Sequence, residues 1–243
     1  MGAITAEQKF IRALKHQPAQ KASFHHLATL LPARQGRPWT TEEVEEAARA
    51  LNSNTTSPVF VVRGGVQYFG NENQKDCALY KATADGIVRR FGMSGGEPKA
   101  TPHLTSRPMD KSKGGIWLNP DLIVAVKRKL GAEPSEHFHS IEIEQASGFD
   151  IRSIYQAHEQ SRGADFAWVY FAAGSKTGID ARTKRAAKEL GVGVVRMPQP
   201  TAPSKWKLEV NAQPRTATKA DRAELLKRIG RLSMTADPLG STG

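Results

Sequence analysis

An unbroken run of apolar residues, FAWVYFAA at 166–173, is the feature that most limits how this chain can fold. A strand that meets water on one face alternates apolar and polar residues, whereas a strand buried on both faces is apolar throughout. The run is far too short to cross a bilayer, which takes about 20 apolar residues in a helix. It therefore predicts a strand in the buried centre of a β-sheet.

The segments around this run have the periodicities of further strands and of amphipathic helices. Apolar residues recur at helical spacing after Asp150, which is placed to cap a helix, and a second helix is predicted in DARTKRAAKEL at 180–190. The order β-β-α-β-α-β predicts an α/β (α+β) domain at 115–212, with a mixed sheet flanked by helices. The other predicted strands are 122–126, HSIEIEQA at 139–146, and GVGVVRM at 191–197.

Residues 1–91 predict a separate, smaller domain. Helical spacing is present at 4–17 and 23–31, and TTEEVEEAARAL at 40–51 has capping threonines, acids in its first turn and an apolar stripe. Two β-rich segments then flank Gly64-Gly65, which is a hairpin signal. Three helices followed by a hairpin favour a winged helix-turn-helix that binds DNA or a protein partner. Any small α+β subdomain has the same elements and is the alternative.

Two segments lack a strong core pattern. Residues 92–114 are rich in Gly, Pro, Ser and Lys with almost no large apolar residue, and predict a linker. Residues 213–243 predict a basic C-terminal tail with one short helix, KADRAELLKRIGRL. The basic residues of that helix form either a solvated face or a surface that contacts phosphates.

The charge of the chain favours a polyanionic partner. Lys and Arg outnumber Asp and Glu by 35 to 24, for a net charge of +11. This balance favours nucleic acid, most simply DNA, over a merely soluble basic protein. One cysteine, no apolar leader and no run long enough for a membrane span favour a cytoplasmic protein without a membrane partner.

The predicted winged helix is an unusual DNA reader, because its third helix is acidic. Glu42, Glu45 and Glu46 would repel phosphates. DNA contacts would then come from Arg49 in that helix or from Arg63 in the wing. The acidic helix serves equally well as a surface for a protein partner.

The segment HSIEIEQA contains a pair of glutamates with two interpretations. In a strand, Glu142 and Glu144 lie on one face while the two isoleucines enter the core on the other. Two carboxylates this close repel each other unless a positive charge lies between them. The pair is either a solvated strand face or half of a metal site. His137 and His139 fall on the isoleucine face, away from any ion at Glu142.

Three short motifs, in order along the chain, carry a resemblance to a known family: Pro120-Asp121, Glu142-Ile143-Glu144 on the next strand, and Gln156 on the following helix. Over residues 115–197 they resemble the restriction-endonuclease-like superfamily, named for its PD…(D/E)xK motif. The resemblance implies a DNA endonuclease that depends on Mg²⁺ or Mn²⁺. It implies catalytic roles for Asp121, Glu142, Glu144 and Gln156, and metal ligation by the three carboxylates and the backbone oxygen of Ile143.

The chain departs from the superfamily pattern at two positions. Glu144 stands where the family usually has the lysine that polarises the attacking water, and Gln160 stands where a tyrosine often follows the glutamine. Glu144 would then act as a second metal ligand or as a general base. Lys127 and Lys176 are candidates for supplying positive charge and for contacting DNA.

Three functions are compatible with these features. The first is the endonuclease, for which a homodimer is expected, since cutting both strands with one site per chain commonly needs two chains. The second is a non-catalytic DNA-binding protein or regulator that retains a nuclease fold. The third is a partner-docking subunit of a DNA defence or repair assembly.

Overall fold

The computed structural model describes residues 4–17, 21–54, 57–62, 65–68, 74–92, 99–104, 120–130, 133–174 and 177–229. The chain divides into two compact units, Met1–Lys81 and Ala82–Gly243. The division falls inside a helix, whereas the sequence predicts the end of the first domain at residue 91. Each unit has its own hydrophobic core.

The first unit combines three helices with a three-stranded antiparallel sheet. Its elements are α1 (Ala6–Lys15), β1 (Lys21–Ser23), α2 (Phe24–Leu30), α3 (Thr41–Ser53), β2 (Val59–Val62) and β3 (Gly65–Tyr68). The strands lie in the order β1-β3-β2. The three predicted helices and the hairpin are confirmed. Strand β1 has no sequence signal, because three residues are too few to show a periodicity, and it depends on pairing with β3.

Local signals in the sequence fix where two of these helices begin. The Thr5 hydroxyl accepts a hydrogen bond from the backbone N–H of Gln8, whose side chain accepts one from the Thr5 N–H in return. Thr40 and Glu43 form the same capping box at the start of α3. With their ends fixed, the helices pack their apolar stripes together with the sheet in one core, which includes Phe10, Leu14, Leu27, Val44 and Val59.

The second unit is built on a mixed sheet. Its elements are α4 (Gln74–Gly92), which begins in the first unit, β4 (Lys99–Leu104), β5 (Leu122–Leu130), β6 (Glu133–Gln145), α5 (Ile151–Gln160), β7 (Phe166–Ala172), α6 (Ala181–Glu189), β8 (Val192–Met197), β9 (Lys207–Val210) and α7 (Lys219–Arg228). The described strands lie in the order β4-β5-β6-β7-β8-β9, with β6, β7 and β8 parallel and the other neighbours antiparallel. The predicted order β-β-α-β-α-β is confirmed for β5 to β8. No helix in the described part of the chain is long and apolar enough to cross a membrane.

The sequence predicts neither of the two edge strands. β4 lies in the segment predicted as a linker, and its Pro102 pairs in register with Val124 of β5. Proline has no N–H to donate to a sheet, so it is tolerated at an edge. An edge strand also needs less apolar sequence than a strand buried on both faces. Residues 99–104 are thus a strand within the predicted linker.

Strand β7 has packed layers on both faces, as its apolar sequence predicts. On one face, Val169 and Phe171 pack with Ile154 of α5 and Ala187 of α6. On the other face, the Tyr170 ring meets the Trp206 ring edge-on, with 5.7 Å between centroids. The prediction of a buried central strand is confirmed.

Helix α7, the short helix predicted in the basic tail, is anchored to the sheet. Its Arg222 pairs with Asp165, and the guanidinium lies 4.7 Å from the centroid of the Phe138 ring. Lys219 and Lys227 of the same helix are exposed. The apolar side of α7 packs in a hydrophobic cluster of buried residues, which are Ile123, Ala125, Phe138, Ala164, Leu225 and Ile229.

Replacing Gly86 of α4 with alanine is expected to destabilise the second unit. A Cβ at Gly86 would lie 2.2 Å from Cη2 of the buried Trp206 ring. Overpacking of this kind costs about 1–3 kcal/mol, which outweighs the gain of about 1 kcal/mol from alanine in a helix. Urea denaturation of G86A and of G178A tests this, since no atom of the described residues lies within 4 Å of a Cβ at Gly178. Equal stability of the two variants would contradict the close contact.

Candidate functional site

Two neighbouring strands bring the first two predicted metal ligands together. Leu122 of β5 pairs with Ile141 of the antiparallel β6. Asp121, just before Leu122, and Glu142, just after Ile141, therefore lie side by side on one face. Oδ2 of Asp121 accepts a 2.8 Å hydrogen bond from the backbone N–H of Ile143. Asp121 and Glu142 are both buried, with 8% and 6% of their residue surface exposed.

The carboxylate of Glu142 lies in an environment that disfavours its charge. Its Oε1 accepts a hydrogen bond from Nε2 of Gln156 on α5, while its buried Oε2 has no hydrogen-bond partner among the described residues. Burial raises the pKa of Glu142 well above its ordinary value of 4.5. The charges of Asp121 and then Glu144 raise this pKa further, whereas the Asp121 backbone and the Gln156 amide lower it.

Glu144 is half-buried and lies on the same face of β6 as Glu142. The hydroxyl of Ser153 lies 3.1 Å from Oε1 of Glu144 and 3.2 Å from the carbonyl oxygen of Gly148, so it can donate to either. A Cβ at Gly148 would lie 2.8 Å from Oε2 of Glu144, so the glycine leaves room for the carboxylate. Sequence reasoning missed Ser153. The sequence feature that points to Ser153 is its position three residues after Asp150, which caps the helix.

Asp121, Glu142 and Glu144 form a cluster of three carboxylates, which we call the carboxylate cluster. Carboxylate oxygens suit Mg²⁺ and Mn²⁺, and the unpartnered buried oxygen of Glu142 would gain most from a cation. Within the described residues, however, no three His, Cys, Asp or Glu side chains are arranged to hold an ion. Each carboxylate instead accepts from a protein donor. The donor set fits a divalent ion in its chemistry, and enclosing one would require side-chain rotation.

Comparison with protein-family models and with curated proteins finds no match. Among solved structures, the chain is similar to a protein of unknown function from Silicibacter pomeroyi. The two are 15% identical with a TM-score of 0.34, and the match covers 66% of this chain and 92% of that chain. A likeness of this size carries no argument about function.

Of the four candidate basic residues, the structure describes Lys127 and Arg49. Lys127 is exposed and lies six residues beyond Asp121 in the chain, roughly 20 Å away along β5. Lys127 therefore does not supply positive charge at Glu144. Arg49 belongs to the first unit and pairs with Glu45 at 2.5 Å. Arg63 and Lys176 lie outside the described residues.

His137 and His139 lie on the face of β6 opposite the carboxylates, as the alternation predicts. His139 is in register with Phe166 of β7, and their rings stack with centroids 4.8 Å apart. Neither histidine shares a sheet face with Glu142, so neither is a candidate ligand at this cluster.

Replacing Gln156 with alanine is expected to weaken Mn²⁺ binding by about 10–100-fold, which is the usual effect of losing a residue that orients a ligand. The amide holds one oxygen of Glu142, and its loss raises the pKa of that carboxyl further, because one bond that favours the ionised form is removed. Calorimetric titration of Q156A measures the effect. Q145A, which removes an exposed amide at the end of β6, is the control. Equal affinity of Q156A and wild type would exclude this role for Gln156.

Proposed function

We propose that this protein is a metal-dependent DNA endonuclease whose second unit has the restriction-endonuclease-like architecture. Asp121, Glu142 and Glu144 hold Mg²⁺ or Mn²⁺, with the backbone oxygen of Ile143 as a further ligand, and Gln156 orients Glu142. The observation that carries the proposal is the buried Glu142 carboxylate. It lies between two other acids, has one oxygen without a donor, and has a raised pKa.

A protein gains nothing in stability from such a group. Burying a charged oxygen without a partner costs about 1–3 kcal/mol or more, and a second and third carboxylate beside it increase the cost. Groups with strongly perturbed pKa values cluster at functional sites, because catalysis and ligand binding require them. A divalent cation bound by the three acids would replace their mutual repulsion with attraction to the ion. A solvated strand face would need no such ion.

The residues divide the chemistry of phosphodiester hydrolysis among them. When bound, the metal ion supplies an activated water and stabilises negative charge on the phosphate. Asp121 and Glu142 place their oxygens on one side of the sheet. Glu144, which stands in place of the usual lysine, serves as a second ligand or as the general base. Ser153 keeps Glu144 turned toward α5 through its hydroxyl.

The order α1-β1-α2-α3-β2-β3 in the first unit supports the winged helix-turn-helix proposal. Its third helix is acidic, and two of its glutamates are engaged by arginines, in the pairs Arg37–Glu43 and Arg49–Glu45. Arg49 would have to leave Glu45 to contact a phosphate. The net charge of +11 supports DNA as the partner of the whole chain. Docking of a protein partner on α3 is the alternative role of this unit.

A second candidate function is a non-catalytic DNA-binding protein that keeps the nuclease architecture. It is favoured by the hydrogen bonds that already hold each carboxylate and by the absence of a lysine at position 144. The two functions differ in metal affinity. A catalytic cluster binds Mn²⁺ in a calorimetric titration, whereas a vestigial cluster does not.

The test of the proposed function is incubation of the full chain with supercoiled plasmid, linear duplex and single-stranded DNA. Each substrate is tested with Mg²⁺, with Mn²⁺ and with EDTA. We expect cleavage of at least one substrate with metal and none with EDTA. If all three DNA forms stay intact with both metals while gel shifts show binding, the second candidate is correct. A lack of both cleavage and binding would exclude both.

A further inference from the structure

The face of the sheet opposite the carboxylate cluster contains a cavity lined by aromatic rings. Its volume is about 380 Å³, and Phe166, Trp168 and Tyr170 of β7 and His139 of β6 contribute to its walls. These residues occupy alternate positions, so their side chains share one face. This is the face that α5 and α6 do not cover, since their core contacts are with Val169 and Phe171.

The rings at this cavity are held in fixed orientations. Nε1 of Trp168 donates a 3.0 Å hydrogen bond to Nδ1 of His139, and an indole nitrogen can only donate, so Nδ1 is the acceptor. The His139 ring is nearly parallel to the Phe166 ring, at 14°. The Trp168 ring lies over Gly193 of β8, where a Cβ would come within 2.2 Å of it. The lack of a side chain at Gly193 thus leaves room for this tryptophan to lie against the sheet.

The rim of the cavity has polar and charged groups. Arg90 of α4 and Asn211 after β9 are exposed and line it. Arg90 lies close enough to Tyr170 for its positive charge to favour the phenolate, although burial dominates and raises the pKa of Tyr170 to about 12. A positive charge therefore stands beside a wall of stacked rings.

We propose that this cavity binds a nucleotide, with the base against Trp168 and the phosphate beside Arg90. Sites for small ligands have volumes of about 300–1,000 Å³ and combine apolar walls with a few polar groups. A base stacked on an aromatic side chain gains about 1–3 kcal/mol without regard to its identity. Arginine is suited to a phosphate because it presents several donors in one plane, and Asn211 can donate to or accept from a base edge.

This site is separate from the carboxylate cluster and does not rest on the proposed nuclease activity. The two lie on opposite faces of the same sheet, so the phosphate beside Arg90 is not the one that a metal at Glu142 would hold. The nucleotide has two sources, a free mononucleotide or an unpaired nucleotide within a single strand. Both present a planar base and an adjacent phosphate, and the experiment separates them.

Calorimetric titration of the full chain in EDTA tests the proposal, with four probes: 5′-AMP, adenosine, ribose 5-phosphate and single-stranded hexadeoxyadenylate. The variants are R90A, W168L and E142Q. R89A is the matched control for R90A, because Arg89 is also exposed and loses the same charge from the adjacent position without lining the cavity. W168F retains an aromatic ring and shows whether any loss in W168L reflects stacking or a general loss of structure.

We expect R90A to weaken binding of 5′-AMP by roughly tenfold or more and to leave adenosine binding unchanged. W168L is expected to weaken binding of all probes with a base by roughly tenfold or more, with W168F close to wild type and E142Q unchanged. Binding of 5′-AMP identifies a free nucleotide, and binding of the hexamer alone identifies an unpaired strand. The proposal is overturned if no probe with a base binds wild type, or if R90A and R89A behave alike. Loss of DNA cleavage in E142Q with these affinities intact would show that the two sites are independent.

Discussion

Replacing Glu142 with glutamine is expected to abolish metal-dependent DNA cleavage, with a loss of about 10³-fold or more. Glutamine has nearly the shape of glutamate and can still meet the Gln156 amide, so the fold is retained. It lacks the negative charge that holds a divalent cation. A metal ion contributes several kcal/mol to transition-state stabilisation, and each 1.36 kcal/mol corresponds to a factor of ten in rate. Initial rates on the preferred DNA substrate, with saturating Mn²⁺, measure this loss.

The matched control for this variant is E189Q. Glu189 lies at the end of α6 with most of its side chain exposed, and it pairs at 3.9 Å with Arg185, which is also exposed. E189Q removes the same charge from the same unit and is expected to cleave DNA at the wild-type rate. Equal activity of E142Q and E189Q would show that Glu142 holds no essential ion, even if wild-type cleavage depends on metal. The carboxylate cluster would then be excluded as the active site.

Much of the second unit follows from patterns that extend over several residues. The apolar run at 166–173 predicts the central strand β7, and the alternation at Glu142 and Glu144 predicts one face of β6 correctly. These predictions hold because burial on one or both faces of a sheet leaves a period in the sequence. The strands β4 and β9 leave no such period, and each pairs with only one other strand of the described part of the chain.

Contacts between side chains are harder to predict from the sequence. Nothing in the spacing places Ser153 at Glu144 or separates Lys127 from Asp121, because both depend on strand register and on where α5 packs. From the sequence alone, Trp168 and Tyr170 of β7 are compatible with ordinary core packing. The register with Gly193 and His139 shows that Trp168 instead forms part of a cavity wall.

The same E142Q substitution is expected to stabilise the protein at alkaline pH in the absence of metal. The pKa of Glu142 is higher in the folded protein than its ordinary value of 4.5. Between these two values the folded chain binds more protons than the unfolded chain, so stability falls as the pH rises. Glutamine does not titrate and avoids this loss. At about pH 8 the variant should exceed wild type by about 1–3 kcal/mol in the free energy of unfolding, whereas at about pH 4 the two should be nearly equal.

Urea denaturation at both pH values in EDTA measures this difference, and repetition with Mn²⁺ at the higher pH gives its counterpart. A metal ligand must be ionised, and bound Mn²⁺ offsets the negative charge of the ionised Glu142. Mn²⁺ should therefore stabilise wild type but not E142Q. A pH-independent difference between the two proteins in EDTA would contradict the raised pKa of Glu142. Stabilisation of both proteins by Mn²⁺ to the same extent would place the ion elsewhere. The combination of a stabilising substitution with lost cleavage is expected only if the carboxylate cluster is maintained for function at a cost in stability.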